Sequence, residues 1–322
     1  RFMYPNSIGL FYSSATRFLG LKPLCDESQV MAAAAHGEPK WLPWINQKII
    51  DWNADGDYTL LHNLERGVGY GVLDWDVAAS VQRVTENVLL ALATWLQQET
   101  GMKNLAYAGG VALNCVANTK IKKHSGFDSV AIQPAAGDAG CALGAAALIC
   151  RPLWENAYLG ITDTNDVTAD EAAERLLKGE IVPIIQGKAE FGPRALGNRS
   201  LLCIPTNDNI KKLNKIKKRD TDSWRPYAPI CQEEEADTWF KIYQPSYDML
   251  FVADIIGGNF TTHDKSARLQ LVSRNKNAYI WKVLEITRQY GYPILINTSL
   301  NAKGKPIVNT VEDYKREVQV SN

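Results

Sequence analysis

The chain has 322 residues, enough for two domains each with its own core. Hydrophobic residues make up 46% and charged residues 22%, a globular composition that excludes a disordered or fibrous protein. Lysine plus arginine and aspartate plus glutamate balance at 35 each; a nucleic-acid binder would carry a basic surplus, so a small-molecule enzyme is expected.

The chain opens on Arg1 rather than methionine, as a fragment would, and runs into the polar Tyr4-Pro5-Asn6-Ser7 instead of a signal peptide. From Asp74 to Thr100, apolar residues recur at helical spacing (Val77, Val81, Val84, Val88, Leu92, Leu96), which predicts an amphipathic helix ended by Gly101. Leu105–Ala108 reads as a short buried strand leading into Gly109-Gly110. A helix over Asn114–Lys123, a strand over Ser129–Gln133, the turn Gly137-Asp138 and a small-residue helix over Ala139–Ile149 follow. The apolar run Cys141–Cys150 is about half the length a bilayer crossing needs, so no membrane partner is expected. Residues 152–166 read as a linker. Beyond it come helix Ala169–Lys178, strand Ile181–Ile185, the loop Gly187–Ser200, helix Asp208–Lys218, strand Leu250–Ile255, helix Asn277–Tyr290 and strand Pro293–Ile296. This alternation is an α/β pattern, with a domain boundary near residue 155. The six cysteines have no CxxC spacing, which predicts free thiols in a reducing cytoplasm.

In the first half, Gly109-Gly110 lies between a strand and a helix, where backbone can approach a ligand closely. Gly137-Asp138 repeats the arrangement with a carboxylate at a helix start. Asp138 suits an N-cap as well as a nucleotide or metal ligand.

The second half sets Lys188, Arg194 and Arg199 in the loop GKAEFGPRALGNRS (187–200). Arginine beside glycine and proline is held in place, and its planar fork suits phosphate and carboxylate oxygens. Lys217-Lys218-Arg219 and WRPYAP (224–229) follow, then ARLQLVSR (267–274) and NTSLNAKGKPI (297–307). Lys211 and Lys212 read as a solvated helix face.

These strings, with GGVALN (109–114), AAGDAGCALGAA (135–146), YPNSIGLFYSSATRFLG (4–20) and VMAAAAHGEP (30–39), resemble the NodU/CmcH/TobZ carbamoyltransferases. The resemblance implies an actin-like ATPase (ASKHA) domain over 1–155, similar to the TsaD-type tRNA threonylcarbamoyl transferases. A YrdC-like α/β domain over 156–322 would follow. It implies that carbamoyl phosphate and ATP, with Mg2+, form carbamoyl-adenylate in the second domain, and that the first passes the carbamoyl group to a hydroxyl-bearing acceptor. The acceptor would be an antibiotic, a sugar or a modified nucleotide. A homo-oligomer is compatible with the reading. Carried over residue by residue, Gly109, Gly110, Asn114 and Gly137 would contact the nucleotide. Arg194, Arg225 and Arg268 would act on the phosphates. Arg199, Arg274, Asn297, Ser299 and Asn301 would bind carbamoyl phosphate. The family's reactive lysine falls in a K-x-R setting, here Lys217 or Lys218, with two extra residues before Trp224. Asp138 would ligate Fe2+. The family's other iron ligands are an HxxxH pair, and none of His36, His62, His124 and His263 has that spacing. Other readings of the same residues are a tRNA-modifying threonylcarbamoyl enzyme, a degenerate nucleotide-binding module and an actin-like sugar kinase.

Overall fold

A computed structural model describes residues 7–46, 73–150, 155–218, 223–258 and 264–319. They form two compact units, residues 1–131 and 132–322.

In the first unit, α1 (Ile8–Phe18) and α2 (Glu27–Ala34) pack on the long α3 (Trp75–Thr100). After it come β1 (Asn104–Tyr107), a 3-10 turn over Gly110–Leu113, α4 (Cys115–His124) and β2 (Ser129–Ile132), which pairs with β1. The Asp74 carboxylate accepts from the N–H groups of Asp76 and Val77 and so starts α3; Gly101, left-handed at φ +63°, ends it. The apolar stripe is shorter than its spacing predicts. Val77, Val81 and Val84 are buried, but Val88, Leu92 and Leu96 are exposed, and Leu89 and Ala93 are buried instead. Burial thus moves round the helix, as 3.6 residues per turn requires of a long straight one. β1 also differs from expectation. Its residues alternate exposed and half-buried, because among the described residues it has one partner strand.

The second unit begins with α5 (Gly140–Ile149), none of whose residues is buried. Then come β3 (Tyr158–Thr162), α6 (Ala169–Leu177), β4 (Val182–Ile185), β5 (Lys188–Glu190), β6 (Arg199–Cys203), α7 (Asn207–Ile216) and β7 (Ala228–Gln232). They are followed by α8 (Ala236–Trp239), β8 (Phe240–Lys241), β9 (Ala253–Ile255), β10 (Ser266–Ala267), β11 (Gln270–Val272), α9 (Ala278–Gln289), β12 (Ile294–Ser299) and α10 (Val311–Tyr314). The main sheet has five strands in the order β11-β7-β12-β6-β4. β11 and β7 run parallel; every other neighbouring pair is antiparallel. The class is mixed α/β, although the main sheet is chiefly antiparallel.

α6 and α9 cover one face through Ala172, Ala173, Leu176, Ile280, Val283 and Leu284, packed on Ile184, Leu202, Ile230 and Leu295. On a second core, Leu213 of α7 meets Ile185, Leu201, Cys203 and Ile296. β6 and β7 are therefore buried at every residue. Their sequences show no period-2 alternation, and neither was expected from the sequence. β7 also carries Pro229 opposite Ile296 in mid-sheet, a residue type that ordinarily argues against a central strand. The six cysteines are all free, as expected. No helix among the described residues is long and apolar enough to cross a membrane.

Candidate functional site

Register alone gathers most of the second-half residues. β12 ends at Ser299, which faces Ser200 next to the start of β6. Its neighbour Asn297 faces Ala228, the first residue of β7. β11 runs parallel to β7 and starts at Gln270, opposite Ile230. One end of the sheet is thus where Arg194 and Arg199 precede or open β6, Arg225 precedes β7, Arg268 precedes β11, and Asn297, Ser299 and Asn301 close β12. A guanidinium-rich rim of this kind meets the need of a polyanionic ligand for charge compensation.

Lys217 joins this end from α7. Its Nζ donates to Ser299 O (2.9 Å), Asn301 O (3.0 Å) and Asn301 Oδ1 (2.7 Å), and Ser299 Oγ donates to the same Oδ1 at 2.6 Å. Of the two adjacent lysines, Lys217 is thus the buried one turned to the NTSLN segment. Lys218 is exposed, with a left-handed backbone at φ +49°. Arg219 lies outside the described residues, as do His62 and His263.

The segment after Arg194 is fixed at nearly every backbone polar group. Glu190 Oε1 accepts from the N–H groups of Leu196 (2.6 Å), Asn198 (2.8 Å) and Arg199 (3.2 Å). Asn297 Nδ2 donates to Ala195 O (3.2 Å), and Gln270 Nε2 donates to Leu196 O (2.8 Å). Glu190 and Gln270 are residues that sequence reasoning passed over. The signal was present, since Glu190 is the one carboxylate in a loop with three basic residues.

Burial pushes the Glu190 carboxyl up, against the opposing pull of the Leu196, Asn198 and Arg199 N–H groups. A carboxyl raised in the folded state binds more protons there than in the unfolded chain. Its contribution to stability is therefore full below the ordinary 4.5 and is lost as pH rises through the native value. Glu190→Gln keeps an oxygen for the three N–H groups and removes the titration. The variant's unfolding free energy is expected to fall less than the wild type's between pH 4.5 and neutrality in urea titrations; identical profiles would refute this. Glu190→Ala leaves three buried donors unmet and is expected to cost about 3 kcal/mol.

Two expected ligand residues are placed otherwise. Arg199 is fully buried. Its Nε donates to Asn309 O, its Nη1 to the carbonyls of Gln186, Gly187 and Asn198, and its Nη2 to those of Ile161 and Gly187, all at 2.8–3.2 Å. With five donors, the guanidinium has no N–H left for a phosphate. It is a scaffold for the loop. Arg274 lies beyond the far end of β11, exposed, with its guanidinium 5.5 Å from the Trp281 ring centroid, and is not gathered with the others.

A cavity of about 590 Å³ lies beside this loop, lined among others by Tyr158, Gln186, Lys188, Asn198, Lys276 and Asn277. Three of its lining residues are joined by hydrogen bonds. Asn277 Nδ2 donates to Asn198 Oδ1 (3.0 Å) and Tyr158 Oη (3.2 Å), while Asn277 Oδ1 caps α9 at Ile280 N (3.0 Å).

In the first unit, Gly109 is at φ +106° with open space around both it and Gly110, as a ligand approaching the backbone requires. Asn114 is committed inward. Its Oδ1 caps α4 at Ala117 N (3.1 Å) and accepts from Gln82 Nε2 (3.2 Å), while its Nδ2 donates to Gln82 Oε1 at 2.9 Å. Gln82 continues the network to Tyr12 and Glu86, and Glu86 pairs with Lys120. In the second unit, Gly137 O accepts from Gly140 N (3.0 Å) in the turn that starts α5; Asp138 is exposed, and the capping position is Ala139, with no side-chain bond. Among the described residues no group of three or more His, Cys, Asp or Glu side chains could hold a metal ion.

The family model for the carbamoyltransferase N-terminus matches residues 1–68 and 60–147, and that for the carbamoyltransferase C-terminus matches 173–322. The nodulation protein NolO of Bradyrhizobium diazoefficiens is 33% identical, across 96% of this chain and 65% of that protein. The 3'-hydroxymethylcephem-O-carbamoyltransferase of Amycolatopsis lactamdurans is 31% identical, across 91% of this chain and 62% of that enzyme. This chain thus spans less than two thirds of either relative. Full-length HypF in its phosphate- and nucleotide-bound form aligns with a TM-score of 0.36 at 16% identity, over 47% of this chain and 23% of that one.

Proposed function

The chain belongs to the carbamoyltransferase family, and from that premise we propose that it serves an O-carbamoyltransferase that uses carbamoyl phosphate and ATP. The observation that carries the reading is the convergence on one sheet end of Lys217, Ser299 and Asn301 with the segments bearing Arg194, Arg225 and Arg268. Carbamoyl phosphate loses phosphate there to water, giving carbamate. A carbamate oxygen then attacks the α-phosphorus of ATP, and pyrophosphate leaves. The cations offset charge on both departing groups. Carbamate decomposes in water, so its formation and capture belong in one pocket. In the transfer step an acceptor hydroxyl attacks the carbamoyl carbonyl and AMP leaves.

The change from one family model to the other, between residues 147 and 173, supports dividing the two tasks near residue 155. ASKHA and YrdC-like architectures for the two parts belong to the same reading. The transfer part would use the open backbone at Gly109-Gly110 for nucleotide. Mg2+ would enter with the phosphates of ATP and offset their charge, and Asp138 is the residue of this chain that the reading offers to Fe2+. The Amycolatopsis relative, by its name, modifies a hydroxymethyl group on a small molecule, which supports an acceptor of that class. A cytoplasmic location fits the six free thiols.

The test is ATP–pyrophosphate exchange with and without carbamoyl phosphate. Exchange dependent on carbamoyl phosphate is the expected result. Nucleotide binding without any exchange would overturn the reading in favour of a binding module.

A further inference from the structure

Asn297 is 2% exposed and its amide orientation is determined by its neighbours. Gln270 Nε2 donates to Leu196 O (2.8 Å), so Gln270 Oε1 faces Asn297 and accepts from Nδ2 at 2.6 Å. The same Nδ2 donates to Ala195 O at 3.2 Å. Both contacts of Nδ2 are to acceptors, so oxygen and nitrogen cannot be exchanged. Asn297 Oδ1 is left as a buried acceptor with no hydrogen-bond partner in the protein. A buried orphan of this kind costs free energy unless a donor arrives. Its place is at the gathered sheet end, two residues before Ser299 on the same face of β12 and bonded to the residue after Arg194.

Of the groups that meet there on the reading above, phosphate and triphosphate offer acceptors. The carbamoyl amino group offers two N–H donors. We propose that Asn297 Oδ1 accepts from the amino group of carbamoyl phosphate and so makes the donor site selective for carbamoyl over other acyl phosphates. This rests on the donor site being the gathered sheet end. A pocket that hydrogen-bonds a substrate N–H rejects the analogue lacking it, because its own polar group is then left unmet. Acetyl phosphate is that analogue, with methyl in place of amino and the phosphate unchanged.

The experiment measures kcat and KM for carbamoyl phosphate in pyrophosphate exchange, and Ki for acetyl phosphate as competitor, on the wild type, Asn297→Ala and Gln270→Met. Asn297→Val, with high strand propensity, is the second variant if alanine fails to fold. Asn297→Ala is expected to lower kcat/KM for carbamoyl phosphate by about 10- to 100-fold without weakening acetyl phosphate, whose Ki holds or falls as the unmet acceptor is removed. Gln270→Met keeps Oδ1 and should weaken both ligands in parallel. Equal losses for both ligands in Asn297→Ala would overturn the proposal and make Asn297 a scaffold residue. A change in preference between ATP and inosine triphosphate, with carbamoyl selectivity intact, would overturn it in favour of the adenine amino group. A wild type that shows no exchange with carbamoyl phosphate at all would instead fail the reading beneath it.

Discussion

Replacing Lys217 by methionine is expected to lower carbamoyl-phosphate-dependent exchange by about 100-fold or more, whereas Lys218→Met leaves it nearly unchanged. The Lys217 ammonium is buried, and its three donors meet Ser299 O, Asn301 O and Asn301 Oδ1. With its N–H groups spent on these oxygens, as those of Arg199 are, it would act on departing phosphate as a fixed charge at the gathered sheet end and not through a hydrogen bond. Lys218 is exposed, on a residue with left-handed backbone. Arginine at 217 should not restore activity, since a planar fork cannot reproduce three bonds converging on one nitrogen. Circular dichroism and thermal melts separate the effect from misfolding. A folded Lys217→Met protein with full exchange would remove the lysine from the mechanism.

The largest loss of stability is expected from Arg199→Met, more than about 3 kcal/mol in urea denaturation. The guanidinium serves the carbonyls of Ile161, Gln186, Gly187, Asn198 and Asn309, drawn from β3, the turn after β4, the loop before β6 and the segment before α10. Methionine would fill much of the space but take away the guanidinium donors of Ile161 O, Gln186 O and Asn309 O, whereas Gly187 O and Asn198 O would keep the N–H groups of Asp163 and Gln186. Lysine reaches at most three of them. A loss below 1 kcal/mol would show that water replaces the guanidinium at little cost.

The contrast between Arg199 and Lys217 marks how far the sequence could be read. Both are cations in motifs shared with the same family, and type and spacing assign both to phosphate. Only the partners separate them, and those partners come from distant residues. Asn301 is 84 positions from Lys217, and Asn309 is 110 from Arg199. Helices were legible where one face stays wet: Asp74 and Gly101 bound α3 as their residue types dictate. β6 and β7 were not, because burial on both faces erases the alternation that identifies a strand, and Pro229 argues the wrong way. Asn114 shows the same limit in reverse. A motif position expected to reach outward to a nucleotide spends its amide on Gln82 and a helix cap, contacts no local pattern announces.

The strand order also governs how the protein is made. β12 is the last strand in sequence yet stands in the middle of the sheet, with β7 on one side and β6 on the other. Until residues 294–299 have left the ribosome, this sheet consists of a β11–β7 pair and a β6–β4 pair, each with an open edge. Closure of this sheet must therefore wait for β12, and it is expected to be slow and sensitive to a chaperone that shields those edges. Because β12 also carries Asn297 and Ser299, the closing of the sheet and the completion of the proposed donor site would be a single event.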